Sequence, residues 1–301
     1  MARRSTAFQT PHSWIQRAWA GLAAESLFSV LFPSDCRVCG EPLLNISRLP
    51  VCPECLDQML PVGGKVCSIC GERVLSTYAE RDADGLRRCP VCRRIDRPFA
   101  RATAYGSYEG GLRELVHLLK YNGVRPAANV LGRMLAEAVA AIEPSFEQAK
   151  VLVIPVPLYH GKRHQRGFNQ AELIARAAVK CHPTRERFEV APDLLERTRD
   201  TRSQIGMTTH QRRENMRGAF AVRRAAEVTG REVLLVDDVY TTGATASECA
   251  RVLRKAGAAM VWVATVARTL KNAGFNVSNL QGFNVENDAS SESRDFETLK
   301  P

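Results

Sequence analysis

Eight of the ten cysteines fall into four Cys-x-x-Cys pairs: Cys36/Cys39, Cys52/Cys55, Cys67/Cys70 and Cys89/Cys92. A two-residue gap lets two thiolates leave one tight turn and converge on a single tetrahedral Zn²⁺. Cys39-Gly40, Cys52-Pro53, Cys70-Gly71 and Cys89-Pro90 supply the Gly and Pro that such turns favour. Taken in chain order, the first two pairs make one four-thiolate site and the last two another, although the spacing equally allows interleaved pairing. Such sites are closed, so they predict structural zinc rather than metal catalysis. Disulfides, redox dithiols and an iron–sulfur cluster are the other uses of this spacing. Cys181 and Cys249 lie in helical patterns and read as buried cysteines.

A second constellation is Val233-Leu-Leu-Val-Asp-Asp-Val-Tyr-Thr-Thr-Gly-Ala-Thr245. Four apolar residues make a buried strand, Asp237 and Asp238 stand at its C-terminal end, and a hydroxyl-rich loop runs on into a helix. Ligands of open α/β sheets bind at that end of the strands. Thr241, Thr242, Gly243, Ala244 and Thr245 offer backbone N–H groups, hydroxyls and a positive helix terminus, which together suit a phosphate. Gly243 permits the close approach a phosphate demands. The two carboxylates then sit where sugar hydroxyls, or Mg²⁺ bridging them, would lie.

The elements around that loop alternate. A strand is expected near Ala100–Tyr105, helices over 110–121 and 126–142, and a buried β-branched strand at Val151-Leu-Val-Ile-Pro-Val-Pro157. A helix over 169–180 follows, then a basic loop-like stretch, the strand at 233–238, a helix ending near Ala256-Gly257, and a strand over 260–266. This alternation implies an α/β domain whose sheet is mostly parallel and covered on both faces.

Four segments emerge: a leader helix over 1–34, a Cys-, Pro-, Gly- and Arg-rich module over 35–95, the α/β domain over 96–270, and a polar, aperiodic tail over 271–301 expected to be disordered. In the leader, Trp14, Ala18, Leu22 and Trp19 suggest an amphipathic face, but Gln16, Arg17 and Glu25 interrupt the apolar run and no cleavage site is clear. Neither a membrane span nor a secretory signal is expected, which places the chain in the cytoplasm. The chain has 301 residues, 45% hydrophobic and 25% charged, with a formal net charge of +10. Between Lys162 and Arg224, fifteen Lys and Arg face seven Asp and Glu. Such an excess favours polyanionic partners, nucleic acid and phosphorylated metabolites alike.

The 233–245 segment resembles the phosphoribosyl pyrophosphate (PRPP) signature of type I phosphoribosyltransferases nearly residue for residue, with Tyr240 standing where a smaller aliphatic residue is commoner. The wider pattern resembles the ComF family of competence-associated proteins. Its features are the double zinc ribbon, Lys120-Tyr121, Pro155-Val-Pro157, Arg166-Gly-Phe-Asn-Gln170, the set Thr201/Gln204/Arg212/Asn215 and the Asp-Asp loop. The resemblance covers roughly residues 33–268. It implies a type I phosphoribosyltransferase fold behind a double zinc ribbon, with two structural Zn²⁺ and with Mg²⁺ accompanying PRPP. It further implies that Thr241 to Thr245 hold the 5′-phosphate and that Asp237 and Asp238 take the ribose hydroxyls as the catalytic pair. Gly161, Lys162, Arg163 and Arg166 would meet the pyrophosphate, and Arg199, Gln204, Arg212 and Asn215 would lie on a loop that closes over it. Three functions follow: Mg²⁺-dependent phosphoribosyl transfer to an unnamed acceptor, non-catalytic PRPP and single-stranded DNA binding during DNA uptake, or a PRPP-sensing regulator or adaptor, with competence-machinery proteins as candidate partners.

Overall fold

The computed structural model describes residues 34–43, 47–74, 81–83, 85–202 and 206–270. The expected leader helix and tail lie outside the described residues. In the cysteine-rich segment one unit occurs twice. Cys36-Arg-Val-Cys-Gly-Glu41 and Cys67-Ser-Ile-Cys-Gly-Glu72 fold alike: the N–H of the first Cys bonds to the Glu carbonyl (2.8 and 2.7 Å), and the Gly N–H returns to the Cys carbonyl (2.8 and 2.9 Å). Gly40 and Gly71 have φ of +80° and +69°, which these turns require. Each second pair opens a short helix, α1 (Pro53–Asp57) or α2 (Pro90–Arg94), whose N-cap is a cysteine and whose first residue is Pro.

Seven strands follow: β1 (Arg101–Ser107), β2 (Val151–Pro155), β3 (Phe188–Val190), β4 (Leu195–Arg197), β5 (Phe220–Val222), β6 (Glu232–Tyr240) and β7 (Met260–Arg268). Five form a sheet in the order β1-β7-β6-β2-β3, every pairing parallel, while β4 and β5 make an antiparallel ribbon. The helices are α3 (Gly110–Tyr121), α4 (Ala127–Ala140), α5 (His160–Arg166), α6 (Gln170–Cys181), α7 (Thr209–Met216), α8 (Ala225–Val228) and α9 (Ala244–Lys255). The basic stretch after Lys180, expected as loop, in fact holds β3, β4, α7 and β5.

Strand alternation divides two cores. Val151, Val153, Leu234 and Val236 pack with α3, α4 and α6; Leu152, Ile154, Val233 and Leu235 pack with α9 and the β4–β5 ribbon. Leu112, Leu115, Val116 and Leu119 of α3 recur at helical spacing and are all buried. Gly132 of α4 lies against Ala177 so closely that a Cβ there would collide with it. The cysteine module covers the free edge of β1: the Ala102 N–H bonds to the Ile69 carbonyl at 2.7 Å, and the Val62 N–H to the Tyr105 carbonyl at 2.6 Å. An otherwise open sheet edge is thereby satisfied.

Candidate functional site

The four sulfurs of Cys36, Cys39, Cys52 and Cys55 lie within 4.8 Å of one another, as do those of Cys67, Cys70, Cys89 and Cys92. Chain-order pairing is therefore the one the fold adopts. Zn–S bonds of about 2.3 Å in a tetrahedron place sulfurs about 3.8 Å apart. The Cys39–Cys52 and Cys70–Cys89 separations are 3.8 and 3.7 Å. The Val38 and Cys52 N–H groups also point at Cys36 Sγ, at 3.5 and 3.3 Å, which suits a thiolate. Both sets fit zinc, and all eight thiols are unbridged.

The second site stands at the C-terminal ends of β2 and β6. Asp237 and Asp238 lie inside β6 rather than beyond it. The Asp238 N–H donates to Asp237 Oδ1 at 2.9 Å, and Asp238 Oδ1 pairs with Lys120 Nζ at 2.8 Å. Lys120 lies in the last turn of α3 and is largely buried. Burial opposes its charge, yet Asp238 and then Asp237 hold its pKa above the ordinary value. Asp237 is pushed up to about 7, first by burial and then by the Asp238 charge, against the downward pull of Lys120 and Arg197. Lys120 is a residue of this cluster to which residue-level reading gave no role. The Lys120-Tyr121 motif marked its place, but nothing local names a partner so far along the chain.

After β6 the chain turns at Gly243, whose φ is +75° and which stands at the N-cap of α9 without a side-chain cap. A Cβ at Gly243 would strike the Tyr240 hydroxyl, so only Gly lets the loop lie on that ring. Thr242 Oγ1 and Asp238 Oδ2 are buried with no hydrogen-bond partner among the described residues. A donor in the loop and an acceptor in the strand that leads into it are groups a phosphorylated sugar would satisfy.

The expected pyrophosphate segment differs in form. Gly161, Lys162, Arg163 and Arg166 lie on the helix α5 instead of an open loop, and α5 ends at Gly167 with φ +75°. Its side chains are solvated all round, so no apolar periodicity announces it. Arg166 lies over the Tyr121 ring at 5.7 Å and donates to Gln170 Oε1 at 2.5 Å. Asn169 fixes the next helix, accepting from the Ala171 N–H at 3.1 Å and donating to the Val156 carbonyl at 3.0 Å.

Of the expected closing loop, Arg199, Arg212 and Asn215 bond to their own segment. Arg199 donates to the Asn215 and Arg217 carbonyls at 2.9 and 2.6 Å, Arg212 to the Met207 carbonyl at 3.1 Å, and the Asn215 side chain bridges the Arg202 backbone. Gln204 lies outside the described residues. The Gly218 N–H anchors the segment's end to Glu248 of α9 at 2.7 Å.

Comparison with known proteins agrees with this geometry. Residues 173–288 match the phosphoribosyl transferase domain family and residues 27–93 the double zinc ribbon domain family. A DNA utilization protein YhgH of Escherichia coli O157:H7 is 30% identical over 241 residues, covering 79% of this chain and 98% of the relative. Competence protein F of Haemophilus influenzae is 30% identical, covering 75% and 93%. Competence protein ComFC of Bacillus subtilis is 25% identical, covering 69% and 80%. With two closed Cys₄ sites in front of a parallel sheet that carries the Asp-Asp loop, the chain belongs to the ComF family and pairs a double zinc ribbon with a phosphoribosyltransferase-type domain.

Proposed function

We propose that the chain binds PRPP together with Mg²⁺ and transfers its phosphoribosyl group to an acceptor, releasing pyrophosphate. The observation carrying this reading is a pair of buried groups without a hydrogen-bond partner among the described residues, Asp238 Oδ2 near the end of β6 and Thr242 Oγ1 in the loop after it. A phosphate oxygen would accept from the hydroxyl, and a ribose hydroxyl would donate to the carboxylate, so one ligand satisfies both. Thr241, Thr242, Gly243, Ala244 and Thr245 hold the 5′-phosphate at the start of α9. Asp237 and Asp238 accept from the ribose 2′- and 3′-hydroxyls, and Lys120 pairs with the other oxygen of Asp238. Cleavage at C1′ moves negative charge onto the leaving pyrophosphate, where Lys162, Arg163 and Arg166 stabilise it. When bound, Mg²⁺ supplies further neutralisation of that charge. Arg199, Arg212 and Asn215 lie on the segment that excludes water from the reacting carbon.

A second reading, non-catalytic binding of PRPP and single-stranded DNA in the cytoplasm alongside the competence machinery, is favoured by Tyr121. Its side chain is 68% exposed, and Arg166 stacks on it beside the cationic α5. An aromatic face among cations is a platform for unstacked bases. The names of the relatives, DNA utilization and competence proteins, point the same way.

Calorimetric titration of zinc-loaded protein with PRPP and Mg²⁺, beside an Asp237→Asn/Asp238→Asn variant, tests the site. Pyrophosphate release is then followed across nucleobase, amine and single-stranded DNA acceptors. Binding lost in the variant supports the site, and release with any acceptor supports transfer. Binding with no release favours the second reading. A folded parent that ignores PRPP sinks both.

A further inference from the structure

Tyr240, the one departure from the loop signature, has an unusual neighbour. It ends β6 opposite Arg268, the last residue of β7. Arg268 is only 2% exposed. One end of its guanidinium donates to the Cys70 carbonyl and the other to Glu72 Oε2 at 2.7 Å, so its fork grips the second cysteine knuckle from both sides. The same guanidinium stacks 5.2 Å from the centre of the Tyr240 ring. Phe99 meets that ring edge-on at 6.5 Å, and the ring's hydroxyl lies directly beneath Gly243. A continuous line of packed groups thus runs from a cysteine of the second cluster to the phosphate loop.

A parallel contact reinforces it. Arg97, which follows α2, donates to Ser247 Oγ at 3.2 Å, and the Ser247 N–H bonds to the Gly243 carbonyl at 2.8 Å. Among the described residues, the first cluster makes no comparable run of contacts to the 241–245 loop itself. Cys36 and Cys55 pack into the core shared with α3 and α4, whereas Cys67, Cys70, Cys89 and Cys92 share theirs with Tyr240, Ala244 and α9.

We infer that Tyr240 and Arg268 are positioning residues that seat the 241–245 loop on the second cysteine knuckle, so that metal held by Cys67, Cys70, Cys89 and Cys92 strengthens binding of the phosphate-bearing ligand while metal in the first cluster does not. The ligand half of this inference rests on the PRPP reading. Coupling between two binding events is reciprocal, so PRPP must in turn tighten metal binding at the second cluster alone.

The test uses the full, zinc-loaded chain. Zinc release to an excess of a chromogenic chelator is timed with and without PRPP and Mg²⁺, and a Cys39→Ser variant identifies the phase belonging to the first cluster. PRPP is expected to slow the second-cluster phase about fivefold or more and to leave the first unchanged. Arg268→Met and Tyr240→Leu each weaken PRPP binding about tenfold and abolish the protection. Arg268→Lys, which keeps the charge and lacks the fork, does the same if Arg268→Met folds poorly. Tyr240→Phe keeps the ring and restores parent behaviour to within about threefold, which a merely structural defect would not do. PRPP binding in the parent with zinc release from both clusters indifferent to it would overturn the coupling, as would an Arg268→Met variant that binds PRPP like the parent. A parent that binds no PRPP overturns the site reading instead. The seating is then judged without ligand: Arg268→Met and Tyr240→Leu must speed release from the second cluster, and unchanged rates would refute it.

Discussion

Asp237→Asn should make the protein more stable and less able to bind. Burial and the neighbouring Asp238 raise the Asp237 pKa from 3.8 to about 7. A carboxyl that holds its proton more tightly when folded loses stability as pH rises from the lower value to the higher, and is level above it. The span of about 3 units at about 1.36 kcal/mol each sets a ceiling of roughly 4 kcal/mol on what the ionised group costs at pH 8. By the same relation the cost is about 2 kcal/mol at pH 5.5, so the gap between variant and parent should widen by about 2 kcal/mol between pH 5.5 and 8.5. Asn has the same shape and does not ionise. Allowing for an imperfectly paired amide, the net gain at pH 8 is about 1–3 kcal/mol, or roughly 2–10 °C in Tm. Scanning calorimetry of both chains across that pH range, zinc-loaded and without Mg²⁺, reads it directly. Adding Mg²⁺ and PRPP should then reverse the order by stabilising the parent alone, by about 3 kcal/mol at a hundredfold excess over Kd. A variant no more stable than the parent at pH 8, or a gap that does not widen with pH, would refute the electrostatic account of this site.

Lys120→Met strips the partner from Asp238, whose side chain is only 6% exposed, and should cost about 3–5 kcal/mol in thermal or urea melts. Adding Asp238→Asn should recover most of that loss. Thr242→Ala removes a buried hydroxyl that bonds to nothing among the described residues, so stability should move by less than about 1 kcal/mol while PRPP affinity in calorimetry drops about tenfold. Gly243→Ala forces a Cβ onto the Tyr240 ring at a φ of +75°, and should cost about 1–3 kcal/mol in melts and abolish PRPP binding. Elemental analysis should find two zinc ions per chain, and stripping them should expose the β1 edge, read as increased dye binding and light scattering.

The parts of this protein that were legible in its sequence are those whose chemistry is local. β2, β6 and β7 are continuous apolar runs because strands buried on both faces leave no polar side, and α3 carries its leucines at helical spacing. The cysteine pairs and the Asp-Asp loop are legible for the same reason, since each is a run of neighbours in the chain. β3, β4 and β5 are three residues each, too short for any period, and α5 has no buried face to mark it. The Lys120–Asp238 pair and the Arg268 grip on Cys70, across 198 positions, exist only once the sheet has formed.

The departure at Tyr240 belongs between these two groups, and it shows how a long-range arrangement leaves a local trace. A small aliphatic residue beneath Gly243 would be sufficient for a loop that only has to hold phosphate. A ring there is large enough to reach Arg268, and Arg268 is buried because the knuckle offers its guanidinium a carbonyl and a carboxylate. Each residue packs the other: the Tyr240 ring covers one face of the buried Arg268 guanidinium, whose edge is held by Cys70 and Glu72. A segment that already serves as the missing neighbour of β1 thereby becomes part of the floor of the 241–245 loop. The zinc module is then neither an appendage nor a separate reader, and a chain truncated before β1 should lose the ordered loop along with the sheet edge.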